Sequence, residues 1–439
     1  MSRSRTKLHR EFEIEIQDLS HDGRGVGRHE GKAVFVTGAL AGETVRARQT
    51  GRNRNFDEAV TLEVLLASPD RVSPRCAHFG VCAGCVLQHL AEPKQIQAKQ
   101  RVLTENLARI GHVEPGRVLE PLADAAWGYR RKGRFSVRFV EKKGRVVVGF
   151  REIDARFVAE LAHCHTIVPA LGERIADLAA LVDSLDARRT IPQIEFIAGD
   201  GPVALVFRHM EPLGADDLQR LTSFAQDNGF AVFLQPGGVE SVKPLWPEQV
   251  ELTFAIPEYG ITMAFRPLDF IQVNAGLNQK MIARAIELLD PQPTDRVLDL
   301  FAGLGNFTLP LARKVRQVVG VEGDAGLVAR ARENANRNGL VNAEFHAADL
   351  AKDLSDEVWM QHGFDKLLLD PPRVGAAEVL AQLPLKGIRR IVYVSCHPAS
   401  LARDAGFLVR ERGYTLKAVG AMDMFPQTAH VESIALFEK

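Results

Sequence analysis

From about residue 280 onward, apolar strand-like runs alternate with helical stretches, and this alternation limits the possible folds more than any other feature. The runs are RVLDLF, QVVGVEG, AEFHAAD, DKLLLDPP and IRRIVYVSC. Each is almost continuously apolar, as a strand buried on both faces must be, and each is followed by enough chain for a crossover helix. The pattern predicts an α/β fold with a doubly wound, mostly parallel sheet. The tail, YTLKAVGAMDMFPQTAHVESIALFEK, reads as two more strands joined as a hairpin. Open sheets of this kind bind ligands outside the carboxyl ends of their strands, so function is sought at those ends.

The first strand runs into the Gly-rich turn DLFAGLGNFTLPLA, residues 299–312. Such a turn lets a ligand approach the backbone closely, and because it is not G-x-G-x-x-G it disfavours a nicotinamide dinucleotide. Glu322 closes the next strand, 23 residues after Asp299, where a carboxylate can accept from both hydroxyls of a ribose. Asp349 closes the third and is placed to face an adenine edge. The fourth strand ends in Asp370-Pro371-Pro372-Arg373 and the fifth in Val394-Ser395-Cys396-His397-Pro398. Neighbouring strand ends thus bring a carboxylate and a thiol into one crevice. Methylation at C5 of a uracil needs such groups. C5 attacks a sulfonium methyl poorly until a thiolate adds at C6, and a separate base must then take the C5 proton. Cys396 is the candidate nucleophile, although by pattern alone it reads equally as a small buried residue.

The first half of the chain differs. In the section 1–69, residues 11 to about 69 alternate apolar and polar between short turns, the mark of a small antiparallel barrel. Residues 70–268 read as α+β, with helix 93–111 ending at a Gly111 cap, and the α/β section is expected over 269–439. The five cysteines, an odd count with no apolar N-terminal signal, point to the cytoplasm rather than to a disulfide framework. Cys76, Cys82, Cys85 and Cys164 form a thiolate set. With His78, His89, His163 or His165 it would suit zinc, while four thiolates alone favour an iron–sulfur cluster. Net charge is zero, yet Trp127 to Arg156 carries 10 Lys and Arg against 3 acids, a local excess that fits phosphate or simply a solvated face. No apolar run is long enough to span a membrane.

With these residues in view, the chain resembles the RNA uracil-C5 methyltransferases, and among them the type that acts on 23S ribosomal RNA. The likeness covers nearly the whole chain. It is carried by PRCAHFGVCAGCVLQHL, WGYRRKGRFSV, FIQVN, DLFAGLGNF, DPPR, VSCHP and the terminal HVES. The resemblance implies a Rossmann-like domain that uses S-adenosylmethionine (SAM), an N-terminal OB-like TRAM β-barrel and an α+β central iron–sulfur domain. It further implies SAM contacts from Gln272, Phe301, Asn306, Glu322, Asp349 and Asp370, where some relatives carry Asn in place of Asp349. Cys396 would be the nucleophile and Glu432 the base, although a Glu at a strand start usually reads as a solvated charge. Cys76, Cys82, Cys85 and Cys164 would hold a structural [4Fe–4S] cluster. The implied partner is 23S ribosomal RNA, in the cytoplasm, with no membrane and no obligate protein partner.

A uracil in folded RNA must be extruded to reach a thiolate. Trp127, Tyr129, Phe135 and Phe139 interleave with Arg130, Arg131, Lys132, Arg134 and Arg138, with most rings expected in the core and several cations on phosphates. Arg24, Arg28, Arg46, Arg48, Arg52 and Arg54 are expected to hold RNA from the barrel. The competing readings are a non-catalytic iron–sulfur RNA-binding protein, a sister enzyme for a tRNA T-loop or another 23S uracil, and a C5-cytosine methyltransferase. In that last class the nucleophile usually follows a proline, whereas Cys396 follows Ser395.

Overall fold

The computed structural model describes residues 10–439; the first nine, part of the predicted barrel section and of its basic charge, lie outside the described residues. Strands β1 (Glu11–Leu19), β2 (Gly25–His29), β3 (Lys32–Thr37), β4 (Thr44–Arg52) and β5 (Phe56–Leu66) form a closed barrel in the order β1-β2-β3-β5-β4. Period-two alternation sends Ile14, Ile16, Val34, Val36, Val45 and Ala47 inward. Gly27 is required where β1 and β2 meet, because a Cβ there would lie 2.4 Å from the Glu15 carbonyl oxygen. Closure removes the sheet edges of a barrel too small to cover them otherwise.

Helix α1 (Glu92–Asn106) comes after the cysteine segment and runs into a π turn, Leu107–Gly111. The predicted cap at Gly111 is corrected here: the left-handed residue is His112, with φ 52°. Gly111 is glycine for a different reason, since a Cβ would meet the Ala402 carbonyl oxygen at 2.5 Å. Strand β6 (Arg117–Val118) then leads to a second sheet built from β7 (Lys132–Val140), β8 (Arg145–Gly149), β9 (Gln193–Ile197), β10 (Ala204–Arg208), β11 (Ala231–Gln235) and β12 (Lys243–Trp246), in the order β12-β11-β10-β9-β7-β8. Helices α2 (Pro169–Gly172), α3 (Ile175–Ser184) and α4 (Ala215–Asn228) belong to this section, and Phe135, Phe196 and Phe207 lie in its core.

A hairpin, β13 (Leu252–Ile256) and β14 (Ile261–Phe265), precedes the boundary expected at 269 but packs into the core of the α/β section. The Asn334 and Asn338 side chains hydrogen-bond its backbone at Ala264 and Thr262. The remaining elements are α5 (Ala275–Leu289), β15 (Arg296–Leu300), α6 (Thr308–Ala312), β16 (Gln317–Glu322), α7 (Ala325–Arg337), β17 (Ala343–Ala347), β18 (Lys366–Leu369), α8 (Ala377–Gln382), β19 (Arg390–Ser395), α9 (Pro398–Arg410), β20 (Thr415–Met422) and β21 (Glu432–Glu438). They build an eight-stranded sheet in the order β17-β16-β15-β18-β19-β21-β20-β6. The first five strands are parallel, β21 runs antiparallel to both neighbours, and β6 reaches over from the preceding section to pair with β20. Leu103 and Leu107, from α1 and its π turn, are fully buried in the core on one face of this sheet. Among the described residues no helix is long and apolar enough to cross a membrane.

Candidate active site

The crossover order reverses between β15 and β18, which opens a crevice at their carboxyl ends. On the far side of β18, Ser395 pairs with Ser433 at the end of the antiparallel β19–β21 ladder, so Cys396, the residue after β19, and Glu432, the first of β21, both lie next to this pair. The Ser433 hydroxyl donates to the Ser395 carbonyl at 3.1 Å and fixes this step. Asp370 lies at the end of the adjacent strand, and its N–H donates to the Leu300 carbonyl at 3.3 Å.

The site is acidic, with Glu432 buried and Asp370 and Cys396 partly so. Burial pushes the Glu432 carboxyl well above the usual range, the neighbouring Asp370 pushes it further, and Arg373 opposes them. Burial alone raises Asp370 to about 7. The Cys396 thiol is pushed up to about 11 by burial first and then by Glu432 and Asp370, with Arg373 again opposing. His430 is pushed down by burial and by the cations Arg373, Lys99 and Arg130; its Nδ1 lies 3.4 Å from Arg373 Nη2. Asp370 and Arg373 therefore set the charge around the thiol and the Glu432 carboxyl, with His430 beside Arg373. Of these three, the sequence pattern singles out Asp370 alone.

On the other side of the crevice, Phe301 takes a left-handed conformation, φ 65°, at the start of the Gly-rich turn. The N–H groups of Phe301 and Ala302 both donate to the Val321 carbonyl, at 2.9 and 3.1 Å, and hold this costly geometry in place. Glu322 accepts from the Gly303 and Asp324 N–H groups, both at 3.1 Å, which orients its carboxylate while leaving lone pairs for a diol. Asn306 and Asn278 exchange side-chain amide bonds at 2.9 and 3.0 Å. Asn274 caps α5 with its oxygen, but its buried amide nitrogen has no partner. Gln272 is held by its backbone, whose carbonyl accepts from Arg131 Nε at 2.8 Å. Acceptors for a ribose, amides for a polar chain and a reachable backbone suit a nucleoside sulfonium such as SAM. Asp349 stands apart from this set. It lies two residues beyond β17, is exposed, and is held below the usual range by the Ala351 N–H and by Lys352.

Asp299 is wholly buried beneath the turn. Its Oδ2 accepts from the Thr308 hydroxyl and its Oδ1 has no partner. Burial, then nearby Asp370 and Glu322, raise it to about 7 against the Thr308 bond. A carboxyl raised by folding stabilises the fold while protonated, and that contribution is lost as pH rises through the folded value. Asp299→Asn keeps an acceptor for Thr308 and cannot ionise. Its thermal midpoint should therefore gain on the parent's between about pH 4 and about pH 7. A difference that does not change with pH would show that folding leaves the titration of this carboxyl where it is.

Cys396 opens onto a cavity of about 870 Å³ that also takes in His21 and Asp22 from the barrel, Arg130 and Arg151, and all four of Cys76, Cys82, Cys85 and Cys164. Burial and mutual proximity raise the thiols of Cys82 and Cys85 to about 11 and about 12. The Gly84 N–H already donates to Cys82 Sγ at 3.4 Å, and Cys164 Sγ lies 3.3 Å from the Thr166 hydroxyl. Among the described residues no three His, Cys, Asp or Glu side chains form a ready-made metal group. His78, His163 and His165 line the cavity. His89 does not; it is buried with both ring nitrogens unpartnered, and burial pushes it down to about 4.

The basic strand departs from expectation. Arg131 is 5% exposed; its guanidinium lies over Phe254, and its backbone N–H donates to Val273. Lys132 donates to the carbonyls of Leu268 and Asp269. Both cations tie the central sheet to the Gln272 segment and are removed from any phosphate. Arg134 and Arg138 remain exposed, and the rings of Tyr129 and Phe135 are buried. On the barrel, Arg24 pairs with Asp22 and Glu58, and Arg46 pairs with Glu63, while Arg28, Arg48, Arg52 and Arg54 face solvent.

Comparison with known proteins bears on this site. The family described as tRNA (Uracil-5-)-methyltransferase matches residues 247–439, and the TRAM domain matches residues 5–59. The chain is 67% identical, over 100% of both chains, to the 23S rRNA (uracil(1939)-C(5))-methyltransferase RlmD of Xanthomonas campestris pv. campestris (strain 8004). It is 64% identical, with the same coverage, to the protein of that name from Stenotrophomonas maltophilia (strain R551-3). Its fold is similar to that of the Pyrococcus abyssi tRNA (uracil-54, C5)-methyltransferase in complex with S-adenosyl-L-homocysteine, with a TM-score of 0.73 at 22% identity over 97% of this chain and 100% of that one.

Proposed function

This chain belongs to the RNA uracil-C5 methyltransferase family, and on that premise we propose that it methylates C5 of uracil 1939 in 23S ribosomal RNA with SAM as donor. One observation carries the proposed chemistry: Cys396, just after β19, and Glu432, the first residue of β21, flank the paired Ser395 and Ser433 and sense each other's charge, with Cys396 on a cavity edged by the barrel and the central section.

The extruded uracil enters this cavity, which is within the usual size range of a small-molecule site. Cys396, once its thiol proton has passed to solvent, adds as thiolate to C6; the C5 enolate then takes the methyl group from the sulfonium, which leaves as the neutral thioether. Glu432, in its carboxylate form, removes the C5 proton so that the C6–S bond can break, and its burial makes it a stronger base than an exposed carboxylate. Arg373 is the cation beside both groups and favours the thiolate. Gln272, Phe301, Asn306, Glu322 and Asp370 are assigned to SAM, with Asp349 as an outer contact on the adenosine side. Closing the crevice to water strengthens every one of these charges.

We assign Cys76, Cys82, Cys85 and Cys164 to a [4Fe–4S] cluster. Four soft donors from two segments facing one cavity fit such a group. Bound there it would act as a cross-link between the segments, since methyl transfer itself moves no net electrons. In this reading the barrel, residues 10–69, and the central sheet grip RNA through exposed Arg48, Arg52, Arg54, Arg134 and Arg138. Functionally, the hairpin from Leu252 belongs with the methyltransferase section.

The test is transfer of labelled methyl from SAM to 23S ribosomal RNA, with the product mapped. The expected result is 5-methyluridine at position 1939 alone. Label in a tRNA T-loop or at another 23S uracil would move the chain to a sister specificity, and no label at all would favour a non-catalytic RNA-binding role. Anaerobically purified protein should carry iron and acid-labile sulfide, which Cys85→Ser should lack.

A further inference from the structure

The loop at residues 423–431 joins β20 to β21 and delivers Glu432 to the site. It is held largely by segments outside the methyltransferase section. Gln427 is the node of this brace. It is 1% exposed and has φ 69°, a left-handed conformation rare for a residue with a side chain. Such a conformation persists only where the surroundings over-determine it.

Its surroundings do so. The Gln427 carbonyl accepts from the N–H groups of Val86 and Leu87, at 2.9 and 3.0 Å, the two residues just after Cys85. The Gln427 N–H donates to Gln95 Oε1 at 2.9 Å, and Gln427 Oε1 accepts from Gln95 Nε2 at 3.0 Å. Gln95, on α1 and also 1% exposed, further donates to the carbonyls of Leu87 and Leu90 at 3.1 and 2.8 Å. On either side of the node, Lys99 Nζ donates to Asp423 at 2.6 Å and to the Phe425 carbonyl at 3.0 Å, and the Tyr129 hydroxyl donates to the Pro426 carbonyl at 2.9 Å.

We propose that Gln427 and Gln95 are positioning residues for the elimination step: they aim Glu432 at C5 and tie that aim to the cysteine-bearing segment. The inference rests on Glu432 being the base. In this step the C5 proton passes to the Glu432 carboxylate, the C5–H electron pair re-forms the C5=C6 bond, and the C6–S pair leaves with Cys396 as thiolate. Cys396 itself sits between β19 and α9, anchored by Ser395 and by the cap that His397 Nδ1 makes on the Ser400 N–H. A loosened loop therefore acts on Glu432 more than on Cys396 and slows resolution of the adduct more than its formation.

Gln427→Gly is the informative variant, because glycine is at ease at positive φ and keeps the carbonyl that receives Val86 and Leu87. Gln95→Met removes the partner side chain. Both should lower kcat by about ten- to a hundredfold, the scale set by a small misplacement of a reacting group, and leave KM for SAM and for RNA within about twofold. Adduct should accumulate, and a primary isotope effect should appear with RNA carrying 5-deuterouracil. A brace that serves folding alone would lower the thermal midpoint while leaving adduct fraction and isotope effect as in the parent, and that result overturns the inference. Glu432→Gln, run alongside, separates the two levels. If it turns over without adduct, the base reading fails and this inference falls with it. If it traps adduct while both glutamine variants partition like the parent, only the positioning role fails.

Discussion

Cys396→Ala is expected to lose methyl transfer by at least about a thousandfold, the scale seen when a covalent nucleophile is deleted, and to keep its thermal midpoint and its SAM affinity. The fold should tolerate the change because Cys396 is only partly buried, at the end of β19, and contributes to none of the apolar cores. SAM affinity should persist because the Glu322 and Asn306 side of the crevice is held by its own hydrogen bonds. The variant should also fail to form a denaturant-stable complex with RNA containing 5-fluorouracil, which traps the parent once C6 has been attacked. Methylation at more than a few per cent of the parent rate would mean that C5 is activated without this sulfur, and the mechanism would have to be abandoned.

Glu432→Gln is expected to do the reverse at the level of the adduct. The amide has nearly the same shape, so the thiol can still add and C5 can still take the methyl group. Without a carboxylate the C5 proton stays, and a covalent protein–RNA complex should build up while turnover falls by about a hundred- to ten-thousandfold, the usual worth of a general base. Electrostatics point the same way. Glu432 is one of two carboxyls that push the Cys396 thiol up to about 11. Removing it should bring the thiol down, so that alkylation of Cys396 by iodoacetamide at mildly alkaline pH becomes faster than in the parent. Normal turnover with no trapped complex, or slower alkylation, would remove Glu432 from the role.

The catalytic sheet is legible in the sequence because parallel strands buried on both faces are written as unbroken apolar runs. The places of Glu322, Asp370 and Cys396 at or just beyond strand ends are legible because unbroken apolar runs mark where such strands stop. The approach of Glu432 to Cys396 is not, since it depends on the Ser395–Ser433 antiparallel register that no local pattern encodes. Arg131 and Lys132 show the opposite failure. In sequence they are two more cations in a basic run, yet the fold turns them inward to satisfy the carbonyls of Gln272, Leu268 and Asp269. Gln95 and Gln427 gave no signal at all, because a buried amide pair is specified by its partner and not by its neighbours in sequence.

The two-residue strand β6 has a consequence for how this protein could be cut or recombined. Arg117 and Val118 occupy what would otherwise be the bare flank of β20, and α1 roofs the same end of the sheet. A fragment beginning near residue 247, where the family match begins, would lack both. Its unpaired N–H and C=O groups and uncovered leucine contacts would offer a template for self-association. The smallest transplantable catalytic unit thus reaches back past α1 to the cysteine segment at residue 76, which carries the Val86 and Leu87 donors to Gln427, whereas the barrel, with a core of its own, is the piece that shuffling could exchange.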